Sequence, residues 1–268
     1  MPQAALSDTP QTVDGFQLYM EPVMALSTRE VHMYFALPAL PARDGRFYMG
    51  QNAHLRARTL GRAGALQEQT LREAVHFVAA LRQRGGSLPV ICPLDVAALA
   101  HVGTSARILH MLREAAHARE GLLLAAPVED MARASRAARQ HLLELAELVA
   151  GFVTRHTGLP DVDTPLPLPL NVRCMEAPAS ALGLAAQILD VADYLRKLNG
   201  RGQMLLASGV DDEDLLKQIQ GLATLGRGRY LGAPRRVRLP GGGGQAAGSA
   251  RAQGTGHEHM PARAAMGH

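Results

Sequence analysis

Few side chains in this sequence are spaced for chemistry. Cys92 and Cys174 both sit in apolar runs, LPVICPL and LNVRCM, without an activating base beside them. A thiol becomes a nucleophile or a metal ligand only when a neighbour draws off its proton. These two read as small core residues in a reducing compartment, not as a disulfide or a metal pair. His156 has no evident partner, and no Ser/His/Asp or Cys/His set suggests itself. His257, His259 and His268 lie together near the C-terminus, in a Gly/Ala-rich stretch that preorganises nothing for a metal. No metal or cofactor is therefore expected. The remaining charge is largely arginine. Among 28 basic residues only Lys197 and Lys217 are lysine, and the net charge is +4. Apart from Arg235 and Arg236 the arginines are scattered, which does not favour nucleic acid as a partner.

The elements that must position these groups are legible from periodicity. Residues 1–13 are polar with two prolines and are expected to form a loose lead. Residues 239–268 have no apolar periodicity and are expected to be a disordered tail. Residues 14–238 lie between, with apolar content high enough for a sizeable core: 47% of the whole chain is hydrophobic. Two apolar runs, 16–26 and 31–40, are joined by the short turn STRE and read as an antiparallel hairpin. A long helical stretch follows. In its second part Leu66, Leu71, Val75, Val78 and Leu81 share a face, and Gly85-Gly86 end it. Strand-like runs then come at 88–94, 122–127, 151–156, 170–175, 203–208 and 227–232. All but the third and the last of these are followed by a helical pattern. Eight strands in so short a span predict closure into a (β/α)₈ barrel, an α/β fold, with the first strand antiparallel. No apolar run approaches the roughly 20 residues a bilayer crossing needs, and the first 15 residues lack a signal-peptide pattern, so the protein is expected in the cytoplasm.

The opening hairpin carries a resemblance. LYMEPVMAL is similar to "YYQPIVDL", and Tyr34-Phe35-Ala36-Leu37 stands at "YEAL". LPVICPLDVAAL resembles "VNLSxxxL", and LLLAAP resembles "LEITE". Arg155-His156-Thr157-Gly158 falls at "DDFG" and Val172-Arg173-Cys174-Met175 near "xKID". LLASGVDDEDLLKQIQGL resembles "IAEGVETEEQLELLRSL", and GRGRYLGAPRRV resembles "DYVQGYLFGRPMPV". In this order these are the landmarks of the EAL domain, the bacterial cyclic di-GMP phosphodiesterase family. The resemblance implies an EAL-type TIM-like barrel over residues 14–238.

It also implies what is missing. Active family members hydrolyse a phosphodiester with divalent cations held by Glu, Asn and Asp at the C-terminal ends of barrel strands. On this alignment the naming Glu is Phe35, the Asn is Ile91, and the Glu of "LEITE" is Ala125. The aspartate pair is Arg155 and His156, the Lys and Asp of "KID" are Arg173 and Met175, the Glu of "AEGVE" is Ser208, and the Gln of "QGY" is Arg227. The Arg that follows the naming motif is Ala39, and the opening Gln is Glu21. The expectation is a pseudoenzyme without metal or catalytic residues.

Two readings of function follow from that resemblance. In the first, the chain is a regulatory module of cyclic di-GMP or motility-type signalling that contacts an unidentified protein partner. In the second, Arg155, Arg173, Arg227 and Arg229 form a basic mouth that binds cyclic di-GMP or another anionic nucleotide without cutting it. Against the second, the same arginines have Asp161, Asp163, Glu176 and Asp211 on neighbouring loops to pair with. A homodimer fits the resemblance, since many EAL domains dimerise. No membrane contact is expected.

Overall fold

A computed structural model of the chain describes residues 13–163, 165–187 and 190–237. The opening hairpin is β1 (Gln17–Ala25) and β2 (Val31–Pro41), paired antiparallel. A third, three-residue strand, β3 (Phe47–Met49), folds back on the end of β2. The helical region is α1 (Gln51–Thr59) and α2 (Ala63–Gln83), separated at Gly61, whose φ of 67° no helix accepts. Leu66, Leu71, Val75 and Val78 of α2 are buried, as the 3.6-residue pattern predicts.

The regular part follows: β4 (Val90–Pro93), α3 (Val102–Glu114), β5 (Leu122–Pro127), α4 (Val128–Ala132), α5 (Arg136–Ala146) and β6 (Gly151–Arg155). Then come β7 (Val172–Pro178), α6 (Ala179–Ala185), α7 (Val191–Gly200), β8 (Met204–Ser208), α8 (Glu213–Ile219), β9 (Leu225–Arg227) and β10 (Arg235–Arg236). Strands β2, β4, β5, β6, β7, β8 and β9 are parallel neighbours in that order. β1 closes the ring by pairing antiparallel with both β2 and β9. The result is a closed eight-stranded mixed barrel, with β3 and β10 added outside it.

Alternation along the strands separates two apolar layers. Val23, Met33, Phe35, Ile91, Leu123, Ala125, Val153, Cys174, Leu206 and Leu225 fill the barrel interior. The opposite faces pack outward against the helices in a larger core.

Four expectations are corrected. The last barrel strand is not 227–232 but Leu225–Arg227, because Gly221 (φ 91°) ends the helical pattern early and Gly228 (φ 148°) turns the chain after Arg227. The helical patterns after β5 and β7 are each two helices. Ser135 and Asp190 cap the second helix of each pair, accepting hydrogen bonds from Ala138 N and Asp193 N. Val13, placed in the loose lead, is buried and donates its N–H to Gln69. The rest of the lead, Arg238 and the tail 239–268 lie outside the described residues. Among those described, no helix is long and apolar enough to cross a membrane.

Candidate functional site

In a barrel of this kind the side chains that meet a ligand stand where the parallel strands end. Here β6 ends on Arg155, β7 carries Glu176, and β9 ends on Arg227, with Glu21 reaching in from β1. The four converge. Arg227 Nη1 donates to Glu21 Oε2 at 2.6 Å, and its Nη2 and Nε donate to Glu176 Oε1 at 2.5 and 3.2 Å. Arg155 Nε lies 3.2 Å from Glu176 Oε2. The Arg227 guanidinium also stacks over the Phe35 ring, 4.0 Å from its centroid.

Charges in this cluster cancel: two guanidinium groups face two carboxylates. Glu176 and Glu21 are buried, and the Arg227 side chain is only 13% exposed. Burial alone would raise the Glu176 carboxyl. The charges of Arg227 and Arg155 and the hydrogen bonds from Arg227 outweigh it and hold the group below the usual carboxylate range. Burial likewise pulls on Arg227, and its two carboxylate partners keep it charged.

Above this cluster lies a cavity of about 320 Å³, floored by Phe35, Arg155 and Arg227. One wall is the Arg58–Asp95 pair, with Nε–Oδ2 at 3.0 Å and Nη2–Oδ1 at 2.9 Å. Asp95 also caps the short 3₁₀ turn Val96–Ala100 through Ala97 N. His54 of α1 lines the cavity too, with both ring nitrogens buried and without a hydrogen-bond partner among the described residues. Its burial lowers its pKa from 6.5 to about 4. The unfolded chain therefore takes up a proton at His54 below pH 6.5 that the folded chain refuses until about pH 4. Stability should fall as pH drops through that window, by roughly 3 kcal/mol at 1.36 kcal/mol per unit. His54→Phe is expected to remove that part of the slope in denaturant melts at pH 4–6.5; an unchanged slope would mean the ring is solvated.

The proposed basic mouth is only half assembled. Arg155 and Arg227 meet, but as partners of Glu176 and Glu21. Arg173 does not join them: it is exposed, on the outer face of β7, because residues of one strand alternate and Cys174 points inward. Met175 is on that outer face as well, buried in the outer core. The inward residues of β7 are Cys174 and Glu176, so the sequence alignment there is displaced by one. Arg229 is exposed and pairs with Asp211, at 3.4 Å. Asp163 pairs with Lys197 instead of with an arginine. His156 lies on the face opposite Arg155, its Nε2 2.9 Å from Thr154 Oγ1, and burial lowers its pKa. Phe35, Ile91 and Ala125 are interior residues, and Ser208 ends β8 with its hydroxyl on Ala177 O. Sequence reasoning missed His54, Arg58 and Asp95. It gave Glu176 only the role of a loop partner, although two-residue alternation from Cys174 would have placed it inside.

The donor set does not suit a divalent cation. Such an ion wants several oxygen ligands, and both interior carboxylates are already bound by Arg227. Among the described residues no group of three His, Cys, Asp or Glu side chains is placed to hold a metal.

No protein-family model and no curated protein matches the sequence. Solved structures do match the fold. The Xanthomonas citri FimX EAL domain in complex with c-diGMP superposes with a TM-score of 0.67 at 17% identity, over 83% of this chain and 88% of that one. The FimX EAL domain from Pseudomonas aeruginosa bound to c-di-GMP gives 0.65 at 19%, over 82% and 91%. The EAL domain of Mycobacterium smegmatis DcpA gives 0.60 at 18%, over 82% and 93%. The fold is the EAL barrel. At such identities the likeness is one of fold, and the first strand of this chain is antiparallel, as expected from the hairpin. The EAL-type barrel thus presents, at the ligand-facing end, a neutral ion-pair cluster beneath an open cavity.

Proposed function

We propose that this chain is a non-hydrolytic EAL-type barrel, acting in the cytoplasm as a regulatory module that contacts a protein partner in cyclic di-GMP or motility-type signalling. The observation that carries this is the state of the two interior carboxylates. Glu21 and Glu176 are the acids that face the barrel mouth from β1 and β7, and one guanidinium holds both. A metal would have to evict Arg227 from a buried site where it is paired twice and stacked on Phe35. Without a metal the fold has no means here to activate a water or to neutralise a phosphate in the transition state. With hydrolysis gone, what remains is a rigid barrel surface, which is the part a regulatory partner would read.

Purified protein with Mg²⁺ or Mn²⁺ is expected to leave cyclic di-GMP intact. Chromatography would reveal the linear dinucleotide. Turnover that survives a control for contaminating enzymes and stops on chelation would overturn the proposal.

One observation favours a sensor as the second reading. The cavity is edged by Arg58, Arg155 and Arg227, and the two FimX structures are described as holding c-di-GMP. Calorimetry with cyclic di-GMP separates the two readings. No binding at sub-millimolar nucleotide is expected, because the charges of Arg155 and Arg227 are already balanced. Saturable binding would replace the scaffold with the sensor.

A further inference from the structure

Beside the mouth, beyond the Arg58–Asp95 pair, a second open groove of about 620 Å³ lies between the start of α2 and the start of α3. Arg58 and Asp95 line both spaces, so their ion pair is the wall between them. The groove is made chiefly of two helix N-termini. Neither is finished in the usual way. The residues preceding the helices, Arg62 and His101, make no side-chain cap, and neither first turn contains an acid. The first backbone bonds of these helices are Leu66 N to Arg62 O and Ser105 N to His101 O. The N–H groups of Ala63, Gly64, Ala65, Gly103 and Thr104 come before them and have no acceptor among the described residues. All five residues line the groove.

Thr104 is an independent mark of a missing guest. It is only 7% exposed, yet its hydroxyl makes no hydrogen bond among the described residues. A buried hydroxyl ordinarily finds a partner, and in a helix it commonly bonds back to a carbonyl of the preceding turn. The neighbouring Ser105 does so, with Oγ on His101 O and Val102 O. Thr104 does not. Its Oγ1 instead faces the opposite helix end, where a Cβ added to Gly64 would come within 2.5 Å of it. The oxygen is not sealed: it opens on the groove that the residue lines.

The electrostatics agree in sign. Arg107 lines the groove and spends only its Nε, on the buried Glu68 at 2.7 Å; Arg72 takes the other Glu68 oxygen. Counting the charged groups that line the space and those that pair with them, Arg58, Arg72 and Arg107 stand against Asp95 and Glu68, with His101 at the rim; Arg62, before α2, is balanced by Asp14. To this excess of one positive charge each helix end adds about half a charge.

We propose that the groove is a binding site for a phosphate group. Its oxygens would accept hydrogen bonds from the α2 and α3 N-terminal N–H groups and the Thr104 hydroxyl, beside the free guanidinium nitrogens of Arg107. Backbone N–H groups at a helix start are suited to such an anion, and two starts facing one space double the donors. The site is separate from the barrel mouth and stands whether or not the barrel hydrolyses anything.

The test is calorimetric titration of the full chain with inorganic phosphate and, separately, with phenyl phosphate, at low ionic strength and without sulfate. Saturable one-to-one binding with a millimolar dissociation constant is expected for at least one probe. Tighter binding of phenyl phosphate assigns the groove to a phosphomonoester, and tighter binding of inorganic phosphate to the free ion. Thr104→Val, which keeps the shape, should weaken binding about tenfold. His101→Asp places a carboxylate at the start of α3, where it takes the Thr104 N–H and repels the anion. It should abolish binding and raise the melting temperature. Three results overturn the proposal: no saturable binding of either probe up to tens of millimolar, binding that survives both variants, or binding abolished by Arg155→Gln, which would place it in the mouth.

Discussion

Arg227→Met is expected to lose about 3–5 kcal/mol of stability, the range for stripping one partner from a buried charge pair. The loss falls at the high end here because a single cation serves two acids. Arg227 holds Glu21 at 2.6 Å and Glu176 at 2.5 Å, and both acids are buried. Methionine restores most of the apolar stem and its packing on Phe35, so the loss measured is electrostatic rather than a cavity. Arg155, 30% exposed and on the far oxygen of Glu176, supports one acid only. The pH dependence should change sign as well. In the parent, Glu176 is held below its ordinary value of 4.5. Its contribution is therefore present above that pH and lost as the pH falls through the folded value. In Arg227→Met, burial is opposed only by Arg155 and raises the group. The penalty is then largest at neutral pH and is relieved on acidification. From pH 7 to 5 the parent should lose stability through His54, and the melting temperature of the variant should rise relative to the parent's over the same range. A variant that melts within a degree or two of the parent at every pH, with no slope relative to it, would contradict the shared-cation geometry. Adding Glu21→Gln and Glu176→Gln should recover most of the loss, since no buried carboxylate then lacks a partner and the remaining cation, Arg155, is 30% exposed.

How far such a site could be read beforehand depended on the range of the contacts. The barrel was legible because each of its strands is a local apolar run and α2 carries a clean helical stripe. β3 was not, because three residues, Phe47–Met49, cannot declare a period of two. β9 was misplaced because LATLG continues the apolar spacing of α8, and only the positive φ of Gly221 shows where the helix stops. At the mouth the residue types were visible and their partners were not. Arg227 and Glu21 are separated by 206 positions, and no local pattern links them. The one-residue slip that put Arg173 and Met175 inside the barrel has the same root. A strand buried on both faces, with Val172, Cys174, Met175, Glu176 and Ala177 all covered, offers no polar face to fix the register. His54 and Arg58 escaped notice because they come from α1, outside every strand-end motif, and Asp95 because it stands at an unspecified position of "VNLSxxxL".

Gly228→Ala is expected to cost more than 4 kcal/mol and to deprive the mouth of its central cation. Gly228 follows Arg227 directly and has φ 148°, a conformation that a residue with a Cβ seldom adopts; strain of that kind alone costs about 1–3 kcal/mol. The space is closed as well. A Cβ there would lie 2.4 Å from Val210 N, 2.5 Å from Val210 O and 2.7 Å from Val210 C. All three are backbone atoms, and the Val210 peptide groups cannot step aside. Val210 N donates to Arg227 O at 3.0 Å, and Val210 O accepts from Tyr230 N at 3.1 Å, which pins both sides. Relief must come from moving Arg227 itself, which breaks its bonds to Glu21 and Glu176. Strain, overlap and a displaced buried cation therefore add at one position, enough for the exceptional end of single-substitution effects. Gly45→Ala is the control: its φ is 80°, but a Cβ there meets nothing within 4 Å. That variant should lose only about 1 kcal/mol, near the low end of the strain range. Urea unfolding of the two variants side by side isolates the clash. If Gly228→Ala unfolds within about 1 kcal/mol of Gly45→Ala, the close approach of Val210 is not what holds Arg227 in place.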